Sequence, residues 1–368
     1  MKRQLLIMLF VLSSLLFWER RLARQELRTR HAAVRIQRLV SPDLFKDRPI
    51  AALQLEAPDG KTFFYAHQQG VWRCLSMHGA IALTPQIQTV LGKVIKASGV
   101  VQSQVSEYST NLISFGLDSS QRWRLALCGS KVRSEQGGDV IFALDLGSRI
   151  PATGGSYVRP LTEGQIWAID EDLTEELERE PGSKLPPLLD PHLVPVVWPG
   201  WQSGLRRIVL ERAERKPLQL LRRDKARTEA EQQSGMPPWE WIIREGESEK
   251  TADVRQAHFY SQFLLQAPYA GLLSQKQREE LGLDKPQSRI RLEAVSGQTL
   301  ELLLGTQTAE GRTPVLNTFS QSIYEIHRET VSNLLPEAEL LLDANKGNPW
   351  EEQLNQAKSP QKERRKMW

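Results

Sequence analysis

Six histidines, two cysteines and ten tryptophans are the side chains of this sequence with the most chemistry to offer. The histidines are His31, His67, His78, His192, His258 and His327. No two stand at i,i+4 or within an HExxH arrangement, so a zinc hydrolase has no support. Cys74 and Cys128 form no CxxC pair and lie near no histidine cluster. Two readings stay open for them: a bridge in an oxidising compartment, or two half-buried strand thiols. There is no GxSxG elbow, Walker A loop or GxGxxG fingerprint. Gly137-Gly138 and Gly154-Gly155 read as loop glycines. Asp118 and Asp284 each follow a Gly-Leu pair and read as turn acids that accept from nearby backbone amides. Catalysis by that pair would need the two to face each other. The acidic run from Asp170 to Glu178 lacks calcium-loop spacing and reads as a solvated face. No catalytic, cofactor or metal residue is assigned. The suggestive residues are aromatic. Trp198 and Trp201 stand in VVWPGWQSG, and Trp239 and Trp241, two apart, share one strand face. They are candidate interface residues, either plugging a junction between domains or anchoring a partner.

The apolar run from Leu5 to Trp18 decides the compartment. Its Leu5, Leu6, Ile7, Leu9, Phe10, Leu15, Phe17 and Trp18 are broken only by Ser13 and Ser14 among polar residues. The run is short for a bilayer span, which takes about 20 residues, and has the length of a signal-peptide core. It ends in Phe17-Trp18-Glu19-Arg20, with no small-x-small cleavage site. Trp18 suits the interface, and the flanking Lys and Arg can snorkel to head groups. An uncleaved signal-anchor is the expectation. Lys2 and Arg3 precede it, and Arg20, Arg21, Arg24, Arg28 and Arg30 follow, so charge alone leaves the orientation open.

Of 368 residues, 40% are hydrophobic and 25% charged, enough for two domains with real cores. Net charge is +4, and much of the excess sits at the two ends. That distribution fits anionic head groups or an acidic partner and lacks a nucleic-acid module.

Those cores are written twice. The first stretch holds Phe115-Gly116-Leu117-Asp118, RWRLALCG, Leu146-Gly147-Ser148, Ile166-Trp167-Ala168-Ile169 and Leu188-Leu189-Asp190. The second holds Leu281-Gly282-Leu283-Asp284, SRIRLEAV, Leu304-Gly305-Thr306, Ile323-Tyr324-Glu325-Ile326 and Leu341-Leu342-Asp343. Upstream, each reads as a meander of strands punctuated by turns such as Asp59-Gly60 and Gln69-Gly70. A helix follows in each copy, capped by Thr84 and Thr251, with apolar stripes over residues 87–95 and 254–264. Closing helices are expected near residues 173–179 and 329–335. Short turns imply antiparallel pairing, so the fold class is α+β: two tandem antiparallel-sheet-plus-helix modules behind a transmembrane helix. The expected divisions are 1–30 (anchor and basic juxtamembrane segment), 31–190 (first repeat), 191–204 (Pro/Trp linker), 205–344 (second repeat) and 345–368 (charged flexible tail).

With Gly70-Val71-Trp72, the FGL and LGL turns, Leu-Gly-Ser/Thr, IWAI and IYEI, and the two LLD closes, the chain resembles a bacterial membrane-anchored family of unknown function. That family has a repeated α+β module, and its members are often encoded beside gliding-motility-type ABC transporter subunits. The resemblance implies an accessory protein in the cytoplasmic membrane, with its body on the periplasmic side and integral transporter subunits as partners. It supplies no catalytic residues. The function expected is therefore a non-enzymatic accessory or scaffold subunit. The alternative is an envelope module binding glycan or peptide through the tryptophans. A hydrolase would need carboxylates meeting across the junction.

Overall fold

The computed structural model describes residues 36–104, 111–129, 139–178, 185–213, 215–225, 239–343, 347–351 and 353–354. The expected anchor (Leu5, Leu6, Ile7, Leu9, Phe10, Leu15, Phe17 and Trp18) lies outside them. Among the described residues no helix is long and apolar enough to cross a membrane.

The described chain forms two antiparallel sheets with few helices. The first contains β1 (Gln37–Arg38), β2 (Ala52–Glu56), β3 (Thr62–Gln68), β4 (Val71–Cys74), β5 (Ala80–Ile81), β6 (Ser98–Gln104), β7 (Trp123–Cys128), β8 (Val140–Arg149), β9 (Ser156–Pro160) and β10 (Gln165–Ile169). The second contains β11 (Leu205–Arg212), β12 (Leu218–Asp224), β13 (Trp239–Glu245), β14 (Ser248–Thr251), β15 (Gly271–Leu273), β16 (Ser288–Ala294), β17 (Thr299–Leu304), β18 (Arg312–Asn317) and β19 (Ser322–His327). The orders are β5-β4-β3-β2-β7-β8-β9-β10-β6-β1 and β14-β13-β12-β11-β16-β17-β18-β19-β15. Apart from β1, they are the same. Each is a four-strand meander, then a helix, an edge strand, and a second meander whose first strand pairs with the first strand of the earlier one. The helices are α1 (Thr84–Lys96) and α2 (Val254–Gln266).

Backbone bonds repeat at equivalent places. Ala82 N donates to Trp72 O at 2.8 Å, and Ala252 N to Trp241 O at 2.8 Å. Leu39 N donates to Ala97 O and Leu193 N to Ala267 O. Residues 191–204 thus occupy in the second sheet's unit the place that residues 37–50 hold in the first. The FGL and LGL turns meet the Leu-Gly-Ser/Thr strand ends: Ser148 N donates to Phe115 O at 2.8 Å, and Thr306 N to Leu281 O at 3.1 Å. A Cβ on Gly147 would sit 2.2 Å from Phe115 O, and one on Gly305 would sit 2.1 Å from Leu281 O. Glycine at the strand end is therefore required by backbone-to-backbone contact. Trp123 stands opposite Leu146, and Ser288 opposite Leu304, which equates Trp123 with Ser288. RWRLALCG and SRIRLEAV therefore align one residue out of step with their starts, because the apolar set must stay on one face.

Alternation along each strand sends one set of side chains inward. Leu53 and Leu55 on β2, Leu125 and Leu127 on β7, Ile208 and Leu210 on β11, and Ile290 and Leu292 on β16 belong to one continuous apolar core. Ile87, Val90 and Val94 of α1 and Ala257, Tyr260, Phe263 and Leu264 of α2 complete it.

The helix caps differ from expectation. Thr84 is the first residue of α1, preceded by Leu83, and no side chain caps the helix. Strand β14 runs through Thr251, so the cap of α2 falls to Asp253, whose side chain accepts from Gln256 N at 2.9 Å. Of the closing helix expected over 173–179, the described residues hold only a 3-10 turn, Glu175–Leu177, because Asp172 Oδ1 draws Thr174 N and Glu175 N into a local turn. Its counterpart is a helix, α3 (Arg328–Leu334). The tail expected to be flexible from residue 345 begins with a packed segment. Trp350 is fully buried, its Nε1 donates to Asn333 O at 2.9 Å, and its ring lies 5.1 Å from that of Tyr260.

Candidate functional site

The polar groups that the fold gathers most closely lie along the segment joining the two units. Its Leu188 O accepts from Leu83 N at 2.7 Å, and Asp190 N donates to Ile81 O at 3.1 Å, tying it to the first unit. Tyr269 Oη donates to Asp190 O at 2.7 Å, and Asn317 Nδ2 donates to Leu193 O at 2.6 Å, tying it to the second. Tyr65 Oη donates to Pro187 O. Directly between units, Arg73 Nη1 donates to Gly79 O at 2.9 Å and to Ser320 O at 3.0 Å.

Asp190 is the hub, with 3% of its surface exposed. Its Oδ1 accepts from His192 N at 3.1 Å and from His192 Nδ1 at 2.8 Å, and its Oδ2 accepts from Val196 N at 2.7 Å. The short contact between Asp190 Oδ1 and His192 Nδ1 holds the imidazole in one orientation. The His192 ring packs edge-on to Trp201 at 5.1 Å. Such a pair orients an imidazole, which is half of what a general base needs; the other half is a nucleophile in reach of the ring. Among the described hydrogen bonds, no hydroxyl or thiol joins His192. Nor does any group of three His, Cys, Asp or Glu side chains able to hold a metal form among the described residues.

Burial sets the ionisation of the surrounding groups. It pushes the Cys74 thiol up to about 12 and the Tyr324 phenol up to about 12. Tyr269 is held well above its ordinary value by burial first, then by the Tyr324 and Asp190 charges. These groups stay neutral and serve as packing and donors. Cys74 points into the main core and Cys128 into a small cluster with Ala52 and Ala66 on the other face of the same sheet. Strands β2 and β3 separate their strands, a span of about 14 Å at the usual strand spacing. Neither cysteine is in a disulfide, and that geometry forbids a bridge.

The four interface candidates separate into two pairs. Trp198 is fully buried with its ring against Gly200, where a Cβ would come within 1.8 Å of Cζ3. Trp201 is half-buried, and its Nε1 donates to Val194 O at 2.9 Å. Trp239 and Trp241 pack edge-on at 5.9 Å, with the Arg222 guanidinium 4.4 Å from the Trp239 ring centre. Trp241 is buried at the place Trp72 holds in the first unit. All four join the core, and among the described residues no ring contact links one pair to the other. Asp118 Oδ2 accepts from Ser120 N at 3.2 Å and Asp284 Oδ1 pairs with Arg278 Nε at 2.7 Å, each within its own turn. The sequence reading missed the Asp190–His192 pair. Its signal was an Asp-x-His inside a proline-rich stretch, where the short spacing lets a side chain close on its neighbour.

Two cavities stand out on the surface. One, of about 360 Å³, lies on the outer face of the second sheet and includes Arg206, Arg207 and Arg223. The other, of about 370 Å³, lies beside Trp123 and Leu177. No protein-family model matches the chain, and no curated protein or solved structure is significantly similar to it.

Proposed function

We propose that the chain is a non-enzymatic accessory or scaffold subunit of a membrane assembly, linked to an ABC-type transport system. In this reading two tandem copies of one α+β module stand behind an N-terminal anchor, with the body on the periplasmic side. The observation that carries it is the seam. The Asp190 main chain, Tyr269, Asn317 and Arg73 each supply hydrogen bonds that tie the joining segment and the two units together. A body built that way holds its outer surfaces in a fixed relation, which is what a scaffold needs. Ile36, 75% exposed, and Val101, 42% exposed, add apolar surface at the β1–β6 edge, where the chain leaves the N-terminal segment. The glycan- or peptide-binding alternative leaned on the tryptophans. With Trp198 and Trp241 inside the core, only the half-buried Trp201 and Trp239 are left to support it.

The test is detergent co-purification of the full-length protein from its native membrane with mass spectrometry, against a version lacking residues 1–30. Integral transporter subunits should accompany the full chain and be lost with the truncation. Recovery of the protein alone in both cases would end this reading.

A further inference from the structure

The second sheet carries charges that its own architecture does not require. Strand β11 pairs with β16 as Leu205↔Ala294 and then Arg207↔Glu293, so Arg206 is the extra residue of a β-bulge. A bulge re-aims its side chains and twists the strand. It sets two consecutive arginines against Glu293. In the same row Arg207 faces Leu221, and Leu221 faces Ile242. Arg223, two residues on from Leu221, reaches the same cavity. Leu221 and Ile242 give it an apolar floor.

The first sheet is an internal control. Its registers Ala52↔Ala66 and Ala52↔Cys128 place those three residues where Arg207, Leu221 and Glu293 stand. They form a small closed apolar cluster under Leu75. The strand order is thus satisfied there by two alanines and a thiol. In the second sheet the same place is a cavity of about 360 Å³ walled by guanidinium groups. Arg207 Nη2 donates to Gln219 Oε1 at 2.9 Å, while its Nε is buried with no partner. A buried donor left unpaired costs free energy, so the guanidinium of Arg207 is not fully satisfied by the protein. Arg206 is exposed and has no ion pair among the described residues, and Arg223 is held by Glu249.

We propose that Arg206, Arg207 and Arg223 form a binding site for a phosphate oxyanion carried by a small organic body that rests on Leu221 and Ile242. Arginine's planar fork matches phosphate oxygens, and the cavity exceeds what bare phosphate fills. Glu293 sits at the edge and opposes the anion. The site stands independently of the accessory reading.

Titration calorimetry on the full chain in detergent tests it, with inorganic phosphate and sn-glycerol 3-phosphate as probes. Saturable binding at one site is expected. Arg207→Ala should weaken it about tenfold, and Glu293→Gln should tighten it severalfold, because the two remove charges of opposite sign. Arg206→Ala, at an exposed position, gives the same loss without risk to the core. Arg291→Ala removes one positive charge from the same outer face, where Arg291 pairs with Glu301 at 2.7 Å, and should leave binding unchanged. Tighter binding of the glycerol ester is the expected result; equal binding of the two probes would show that no organic body is recognised and would overturn the proposal in this form. No saturable binding, equal loss in Arg291→Ala, or no gain in Glu293→Gln overturns the site.

Discussion

Where the first sheet sets Asp145 between Arg124 and Arg159, the second sets Leu303 between Arg289 and Leu316. Asp145 is fully buried, with Arg124 Nε at 2.8 Å, Arg159 Nη2 at 2.5 Å and Arg122 Nη1 at 3.5 Å. The Asp145 hydrogen bond, more than the charge itself, holds the Arg124 guanidinium above its ordinary value against the cost of burial. Leu303 joins Leu283, Leu316 and Ile323 in a small apolar cluster. Along β2 and β11 the chemistry is reversed: Ala52, Ala66 and Cys128 in the first sheet answer to Arg207, Leu221 and Glu293 in the second. One strand order therefore accepts either solution on its outer face. A buried carboxylate is tolerable when guanidinium groups surround it, and leucines fill the same place without any desolvation cost.

The largest effect should come from taking the carboxylate away. Asp145→Ala leaves three arginines around an empty place and should cost about 3–5 kcal/mol in denaturant unfolding. Asp145→Leu with Arg159→Leu copies the second sheet and should recover most of that loss. If the double variant is no more stable than Asp145→Ala, the two places are not equivalent. Next, Leu303→Ala opens a cavity in the leucine cluster and should cost about 2–4 kcal/mol by the same measurement. A cost near zero would mean that this cluster contributes nothing to the second sheet.

The smallest effect separates the two faces of the first sheet. Burial raises the Cys74 thiol from 9.0 to about 12, so the unfolded chain releases its proton first as pH rises. Its contribution is complete below pH 9.0 and is lost as pH climbs toward about 12. The slope from this one group is at most about 1.4 kcal/mol per pH unit. Cys74→Ala should flatten the alkaline fall in stability relative to the parent. An unchanged slope would show that the thiol ionises as readily folded as unfolded.

The repeat was legible because its motifs are set by local geometry. Gly116 and Gly282 adopt positive φ, +65° and +68°, in turns where a side chain is strained, and Gly147 and Gly305 admit a carbonyl that a Cβ would block. Period-two alternation marked the strands, and helical spacing marked α1 and α2. The caps were less legible, since Thr251 reads equally well as a cap or as the end of a strand, and only the pairing of β14 decides.

Sequence by itself determined the strand-rich class and the duplicated motif order, because each follows from residue types at short range. Tertiary structure alone decided that residues 191–204 pack as a seam around the buried Leu193, Val194 and Trp198, that Trp350 is core, and that Cys74 and Cys128 lie on opposite faces of one sheet. It alone set Arg206 and Arg207 against Glu293 across a bulge. These facts depend on which strand lies beside which. That is fixed by packing between segments more than a hundred residues apart, such as Arg73 and Ser320, and leaves no local mark in the chain.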